Sequence, residues 1–201
     1  MQDDFLDKVY DLETPDALRR HYDAWAARYD ADLEAQGYAT PGRCAAALKA
    51  AGLSRDAAIL DMGCGTGLSG RALRAEGFTT IDGADVSAGM LEVAAGTGAY
   101  RQLVNTAETG LPTGPYAAVT AIGVIGAGAA PAALFDDCLA ALSRGGLFCF
   151  SFNDHTLEMP EYTARRDIAL ASGRVSLVSE DTGVHIRGLG STSKVYVLKR
   201  N

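Results

Sequence analysis

Two carboxylates bracket a run of alternating glycines in this chain: Asp61-Met62-Gly63-Cys64-Gly65-Thr66-Gly67, then Asp85 after one more helix-length segment. The apolar Ile59-Leu60 before Asp61 reads as the end of a buried parallel strand, and Ala72 and Leu73 after Gly70 as the helix that follows. Glycines at such a turn let backbone approach a ligand closely, and the free N–H groups of the first helical turn face whatever lies in the gap. Asp85 ends a second strand, Thr79-Thr80-Ile81-Asp82-Gly83-Ala84, at about the 20-residue distance where an acid meets ribose hydroxyls. The pair describes a nucleoside seat.

Charge discriminates between nucleosides. Gly65-Thr66-Gly67-Leu68-Ser69-Gly70 also fits the G-x-G-x-x-G pattern of dinucleotide binding, which leaves an NAD(P)-linked oxidoreductase as the alternative. Asp61, however, stands where a pyrophosphate would rest and would repel it. It would attract a ligand carrying an ammonium and a sulfonium, and S-adenosylmethionine (SAM) is such a ligand.

Asp61-x-Gly63-x-Gly65-x-Gly67 followed by Asp85-Val86-Ser87-Ala88-Gly89-Met90-Leu91 resembles motif I and the post-I motif of class I SAM-dependent methyltransferases. Tyr22-Asp23-Ala24-Trp25-Ala26 with Tyr29-Asp30, then Gly37-Tyr38-Ala39-Thr40-Pro41, is similar to the N-terminal segment of the Williams-Beuren-region methyltransferase-like subgroup. Ala118-Val119, Gly123 and Pro131 fall where that subgroup has its fourth strand and the turn after it, so the likeness covers about residues 8 to 153. The resemblance implies SAM as cofactor and S-adenosylhomocysteine (SAH) as product. It implies contacts from Asp61, Gly63, Cys64, Gly65, Thr66 and Gly67, from Asp85, Val86 and Met90, and from Thr106, Ala107 and Gly123. Tyr29 on the first helix is expected at the methionyl end. Two positions depart from the pattern. Thr106-Ala107 stands where many relatives have an aspartate before the alanine, and Tyr116-Ala117 where Phe-Asp is frequent.

These residues need a scaffold that brings strand ends together. Thr14-Pro15-Asp16 combines an N-cap, a proline at the first helical position and an acid in the first turn, opening a helix to about Ala31. Leu18, Tyr22, Trp25 and Tyr29 line one face of it. A second helix opens at Thr40-Pro41 and runs to Gly52. Strands are expected at about residues 58–62, 79–84, 100–104, 117–123 and 147–152, with helices at about 67–76, 87–95 and 131–143. A helix near 160–171 precedes a hairpin of 174–178 with 194–198. Such βα alternation predicts a Rossmann-like, doubly wound α/β fold. The resemblance adds a seven-stranded, mostly parallel sheet with an antiparallel C-terminal strand and N-terminal helices capping the cofactor site. Residues 1–201 then form a single domain, with 1–56 a helical lid and 57–201 the Rossmann-like core.

Composition excludes other classes. With 48% hydrophobic and 21% charged residues the chain can bury a full core, and its formal net charge of −7 repels phosphate backbones. A small-molecule methyl acceptor is therefore expected as partner, and nucleic acid is not. No apolar run is long enough to span a bilayer, and the acidic start Met1-Gln2-Asp3-Asp4 lacks the basic region of a signal peptide, so a cytoplasmic protein is expected. Cys44, Cys64, Cys138 and Cys149 show no metal-ligand spacing and read as reduced, buried thiols. A sulfonium leaves as a neutral thioether, so alignment of the acceptor is the main task, and a base is needed only for some acceptors. Candidates for that base are His21, Asp23, Asp154 and His155, with His185 near the terminal hairpin, and none has a supporting motif. A SAM-binding protein without turnover is therefore the third reading.

Overall fold

The computed structural model describes residues 14–201, and the acidic start read above lies outside them. Helix α1 spans Pro15–Ala35, capped by Thr14, whose hydroxyl accepts from the Ala17 N–H. It runs past the expected end at Ala31, because nothing from Asp32 to Ala35 breaks a helix, and it stops before Gly37, whose φ of +71° no helix accommodates. Helix α2 is Thr40–Ala50, and its Cys44, Ala45 and Leu48 are buried.

The alternating core follows as β1 (Ala58–Met62), α3 (Leu68–Ala75), β2 (Thr80–Asp85), α4 (Ala88–Gly96), β3 (Gln102–Asn105), α5 (Thr106–Thr109) and β4 (Tyr116–Ala121). Then come α6 (Leu134–Ala141), β5 (Leu142–Asn153), α7 (Asp154–Leu157), α8 (Pro160–Ala171), β6 (Val175–Val184) and β7 (Thr192–Arg200). The strands form one seven-stranded sheet in the order β3-β2-β1-β4-β5-β7-β6. The first five are parallel, and β7 runs antiparallel between β5 and β6. Strand order reverses between β1 and β4, which opens a crevice at their carboxyl ends.

Side-chain alternation divides the core between the two faces of the sheet. Leu60, Val119, Phe148 and Phe150 meet Phe135 and Leu139 of α6 on one face. Ile59, Ile81, Cys149 and Val197 meet α2 and Leu73 of α3 on the other. One boundary differs markedly from expectation. The strand expected at 147–152 starts at Leu142, which pairs with Tyr116, so the preceding helix is shorter than the expected 131–143. The pairing register shifts between Tyr116 and Ala118, and Gly145 (φ +78°) lets β5 absorb the jog. The terminal hairpin also exceeds the expected 174–178 and 194–198, because its ladder continues from Val175↔Arg200 to Val184↔Thr192.

Candidate cofactor site

Asp61 lies beneath the glycine loop, at the end of β1, and its carboxylate is fully buried. Three hydroxyls donate to it: Ser69 at 2.5 Å and Tyr100 at 2.7 Å on one oxygen, Thr120 at 2.6 Å on the other. Burial pushes its carboxyl above the usual range while these three bonds hold it down. The Tyr100 phenol stays a donor because burial and the Asp61 charge push its pKa far up. Asp61 thus ties β1 to β4 and to α3, and it meets the crevice through the loop it braces. The electrostatic selection expected of this residue passes through that brace, since its lone pairs are engaged by the protein's own hydroxyls.

The loop itself needs its glycines at different points for different reasons. Gly63 has φ +69°, and a Cβ there would sit 2.5 Å from the Val124 side chain. Gly65 has φ +52°, and its missing side chain faces open space along the crevice, a cradle any Cβ would fill. Gly70, the last residue of the G-x-G-x-x-G match, serves packing: its N–H donates to the Tyr100 hydroxyl at 3.0 Å, and a Cβ would lie 2.4 Å from that ring.

Asp85, at the end of β2, holds the loop from behind and is not itself on the crevice lining. One of its oxygens accepts from the Gly65 N–H and the other from the Ser87 N–H, each at 2.9 Å. A carboxylate has about four acceptor positions, so backbone N–H groups do not exhaust its capacity to accept from a ligand hydroxyl. Burial raises its pKa, and the bonds from Ser87 and Gly65 counter that. The exposed Val86 and the buried Met90 flank it, and across the β2–β3 ladder Asp85 pairs with Asn105, which caps the short helix carrying Thr106 and Ala107. Gly123, after β4, donates its N–H to Ser151.

Helix α1 lies over both loops. Asp30 accepts from the Thr66 hydroxyl at 2.5 Å and, with Glu34, pairs with Arg71 of α3. Asp23 accepts from the Ser87 hydroxyl at 2.5 Å and the Gly89 N–H at 3.1 Å. Tyr22 donates to the Gly128 carbonyl beyond β4. The resulting crevice is narrow, about 30 Å³, and is lined by Tyr29, Tyr38, Gly63–Thr66 and Ile122, with Pro41, Leu68 and Ser69. No lysine or arginine is among these ten residues.

The candidate bases separate on this map. Asp23 is occupied in holding the start of α4, and Asp154 in accepting from the N–H and hydroxyl of Thr192. His155 is exposed, and His21 packs against Tyr22 and Trp25. His185 is pushed down to about 4 by burial, so it is neutral at physiological pH. Cys64 lines the crevice, but burial and the charges of Asp61 and Asp85 push its thiol up and leave it inert. Sequence reasoning gave no role to Tyr38, Tyr100 or Thr120. Tyr38 stands in the Gly37–Pro41 segment that carried the resemblance, whereas nothing local marks Tyr100 or Thr120.

The methyltransferase domain family matches residues 36–182 of this chain. Methyltransferase-like protein 27 of Homo sapiens is 36% identical over 136 residues, which is 65% of this chain and 55% of that protein. The chain thus matches about half the length of that curated relative. Among solved structures, the complex between the Haloferax volcanii Trm112 methyltransferase activator and a putative methyltransferase is similar with a TM-score of 0.67 at 20% identity, covering 90% of this chain and 96% of that one. Magnesium protoporphyrin IX methyltransferase from Synechocystis with bound SAH is similar with a TM-score of 0.61 at 18% identity, covering 85% of each chain. The open Gly65 cradle, its hydrogen bond to Asp85 and the matched span agree, and the chain belongs to the methyltransferase domain family, with the fold of the class I SAM-dependent enzymes.

Proposed function

We propose that this protein transfers the methyl group of SAM to a small-molecule acceptor, with residues 1–56 serving as a helical lid over a core of 57–201. One observation carries the reading of the site: the glycine loop and Asp85 are hydrogen-bonded to each other at the crevice, with Gly65 bare and the carboxylate still able to accept. In this reading Asp85 holds the ribose diol, while Val86, Met90, Thr106 and Ala107 flank the adenine. Gly63, Cys64, Gly65, Thr66 and Gly67 pass beneath the methionyl chain, beside Tyr29 and Gly123. SAM supplies an activated methyl carbon on a sulfonium, so the chain's own contribution is to hold the acceptor in line and exclude water.

A small acceptor is supported by the net charge of −7 and by a crevice roofed by α1. The same charge argues against nucleic acid as acceptor. Among the described residues no helix is long and apolar enough to cross a membrane, and the four cysteines are free and buried, which supports a cytoplasmic setting. Calorimetric titration with SAM and SAH tests the first part, with saturable binding expected and NADH without effect. A screen of amines, phenols, carboxylates and thiols for SAM-dependent product tests the second. Methyl incorporation into tRNA or protein, with none into any small molecule, would overturn the acceptor class; SAM binding without any product would identify a binder without turnover.

A further inference from the structure

Two phenols of the described residues face the crevice. Tyr29 and Tyr38 both line it, and their hydroxyls are not among the hydrogen bonds that tie the described residues around it together. Both residues are half-buried, with no polar side-chain atom sealed away unpartnered, so each hydroxyl is open to a ligand that enters the crevice. The other hydroxyls on the lining are committed: Thr66 to Asp30 and Ser69 to Asp61. With no lysine or arginine there, Tyr29 and Tyr38 are the side-chain donors left for an anionic group.

Tyr38 is aimed from far away in sequence. The β6–β7 connection runs beside it in strand-like fashion: Tyr38 bridges Ile186, the Ala39 N–H donates to the His185 carbonyl at 2.9 Å, and the Gly188 N–H donates to the Gln36 carbonyl at 2.8 Å. The His185 ring stands edge-on to the Tyr38 ring, with centroids 5.3 Å apart. That imidazole is fixed in turn by Thr40, whose hydroxyl lies 2.8 Å from Nδ1 and 2.9 Å from the Ser193 hydroxyl. On the crevice side the phenol passes over Gly123, where a Cβ would lie 2.4 Å from the Tyr38 oxygen.

We propose that the Tyr38 hydroxyl, beside that of Tyr29, donates to the α-carboxylate of the bound cofactor, and that the β6–β7 connection, through His185, is the device that positions it. SAM and SAH carry one anionic group, and it lies at the end of the molecule opposite the adenine. Tyr38 sits against Gly123 at the end of β4, two strands across the sheet from Asp85, which is about 10 Å at the usual strand spacing. Tyr38 is therefore a binding residue and His185 a positioning residue, and both assignments rest on the reading of the crevice as the SAM site.

The test compares SAH with 5′-methylthioadenosine, a thioether of the same nucleoside that lacks the amino-acid end. In Tyr38→Phe, Kd for SAH should rise about tenfold and Kd for methylthioadenosine should stay within about twofold, as expected for one hydrogen bond to a charged group. His185→Ala should show the same selectivity at about three- to fivefold, and His185→Phe, which restores a ring against Tyr38, should return SAH binding to within about twofold. Urea titration of each variant reports whether it folds. Equal weakening of both probes in Tyr38→Phe, or no change in either, overturns the carboxylate assignment. His185→Ala with unaltered SAH binding overturns the positioning role. If the unsubstituted protein binds neither probe, the cofactor reading falls and takes this inference with it, an outcome distinct from the other two.

Discussion

The two sides of the crevice are built by different means. On the β1–β2–β3 side the loop, its helix and Asp85 lie within one short stretch of chain, and their polar groups satisfy one another: Gly65 to Asp85, Ser87 to Asp85, Ser69 to Asp61. On the other side Tyr38 meets His185, Thr40 meets Ser193 and Arg43 reaches Val184, Asp181 and Ser193, contacts that join α2 and the segment before it to the last strands. There the Tyr29 and Tyr38 phenols line the crevice. The difference teaches that the glycine-loop side is a preformed, locally satisfied cradle, whereas the other side is an assembly of segments remote in sequence.

Substituting the cradle's acid should produce the largest effect. Asp85→Ala removes a charged acceptor for a diol and the anchor of the Gly65 N–H, so SAH binding should weaken by about 100-fold, roughly 3 kcal/mol, with far-UV circular dichroism retained. An unaltered Kd would erase the contrast between the two halves.

The assembled half should be the acid-sensitive one. The His185 imidazole titrates near 4 when folded, against 6.5 for a free one, so between these values the unfolded chain binds a proton that the folded chain refuses. This group's contribution is fully present above pH 6.5 and falls as the pH drops toward 4, by about 2 kcal/mol between pH 7 and 5. His185→Phe should therefore lose less stability than the unsubstituted protein over that interval in urea titrations. Parallel curves would place the acid sensitivity elsewhere.

A smaller effect is expected beneath the loop. Asp61→Asn keeps the shape but replaces an acceptor of three hydroxyl protons by a group that must also donate, at about 1–2 kcal/mol of stability by urea titration. The smallest effect is expected at the roof. Asp30→Ala frees Thr66 and leaves Arg71 paired with Glu34 alone at a partly exposed position, and it should cost under about 1 kcal/mol while accelerating SAH dissociation in stopped-flow measurements. A slower dissociation would contradict α1 acting as a cover.

Local sequence determined much of the first half. Alternating apolar runs and glycines set the strands and helices of the core, because backbone conformation at Gly63, Gly65 and Gly67, each with positive φ, is a property of the residue itself. The N-cap and proline at Thr14–Asp16 placed the start of α1 for the same reason. Legibility failed where a distant partner decides. Whether Leu142 ends a helix or begins a strand depends on Tyr116 across the sheet, and the three hydroxyls on Asp61 arrive from α3, β4 and the turn before β3. Asp23 had the residue type of a base, yet one of its oxygens holds Ser87 and Gly89 at the start of α4. Only the tertiary structure brought Tyr38 under His185. Residue type and short spacing fix a turn through local sterics, whereas the partner of a long side chain is chosen by packing, which no window of sequence contains.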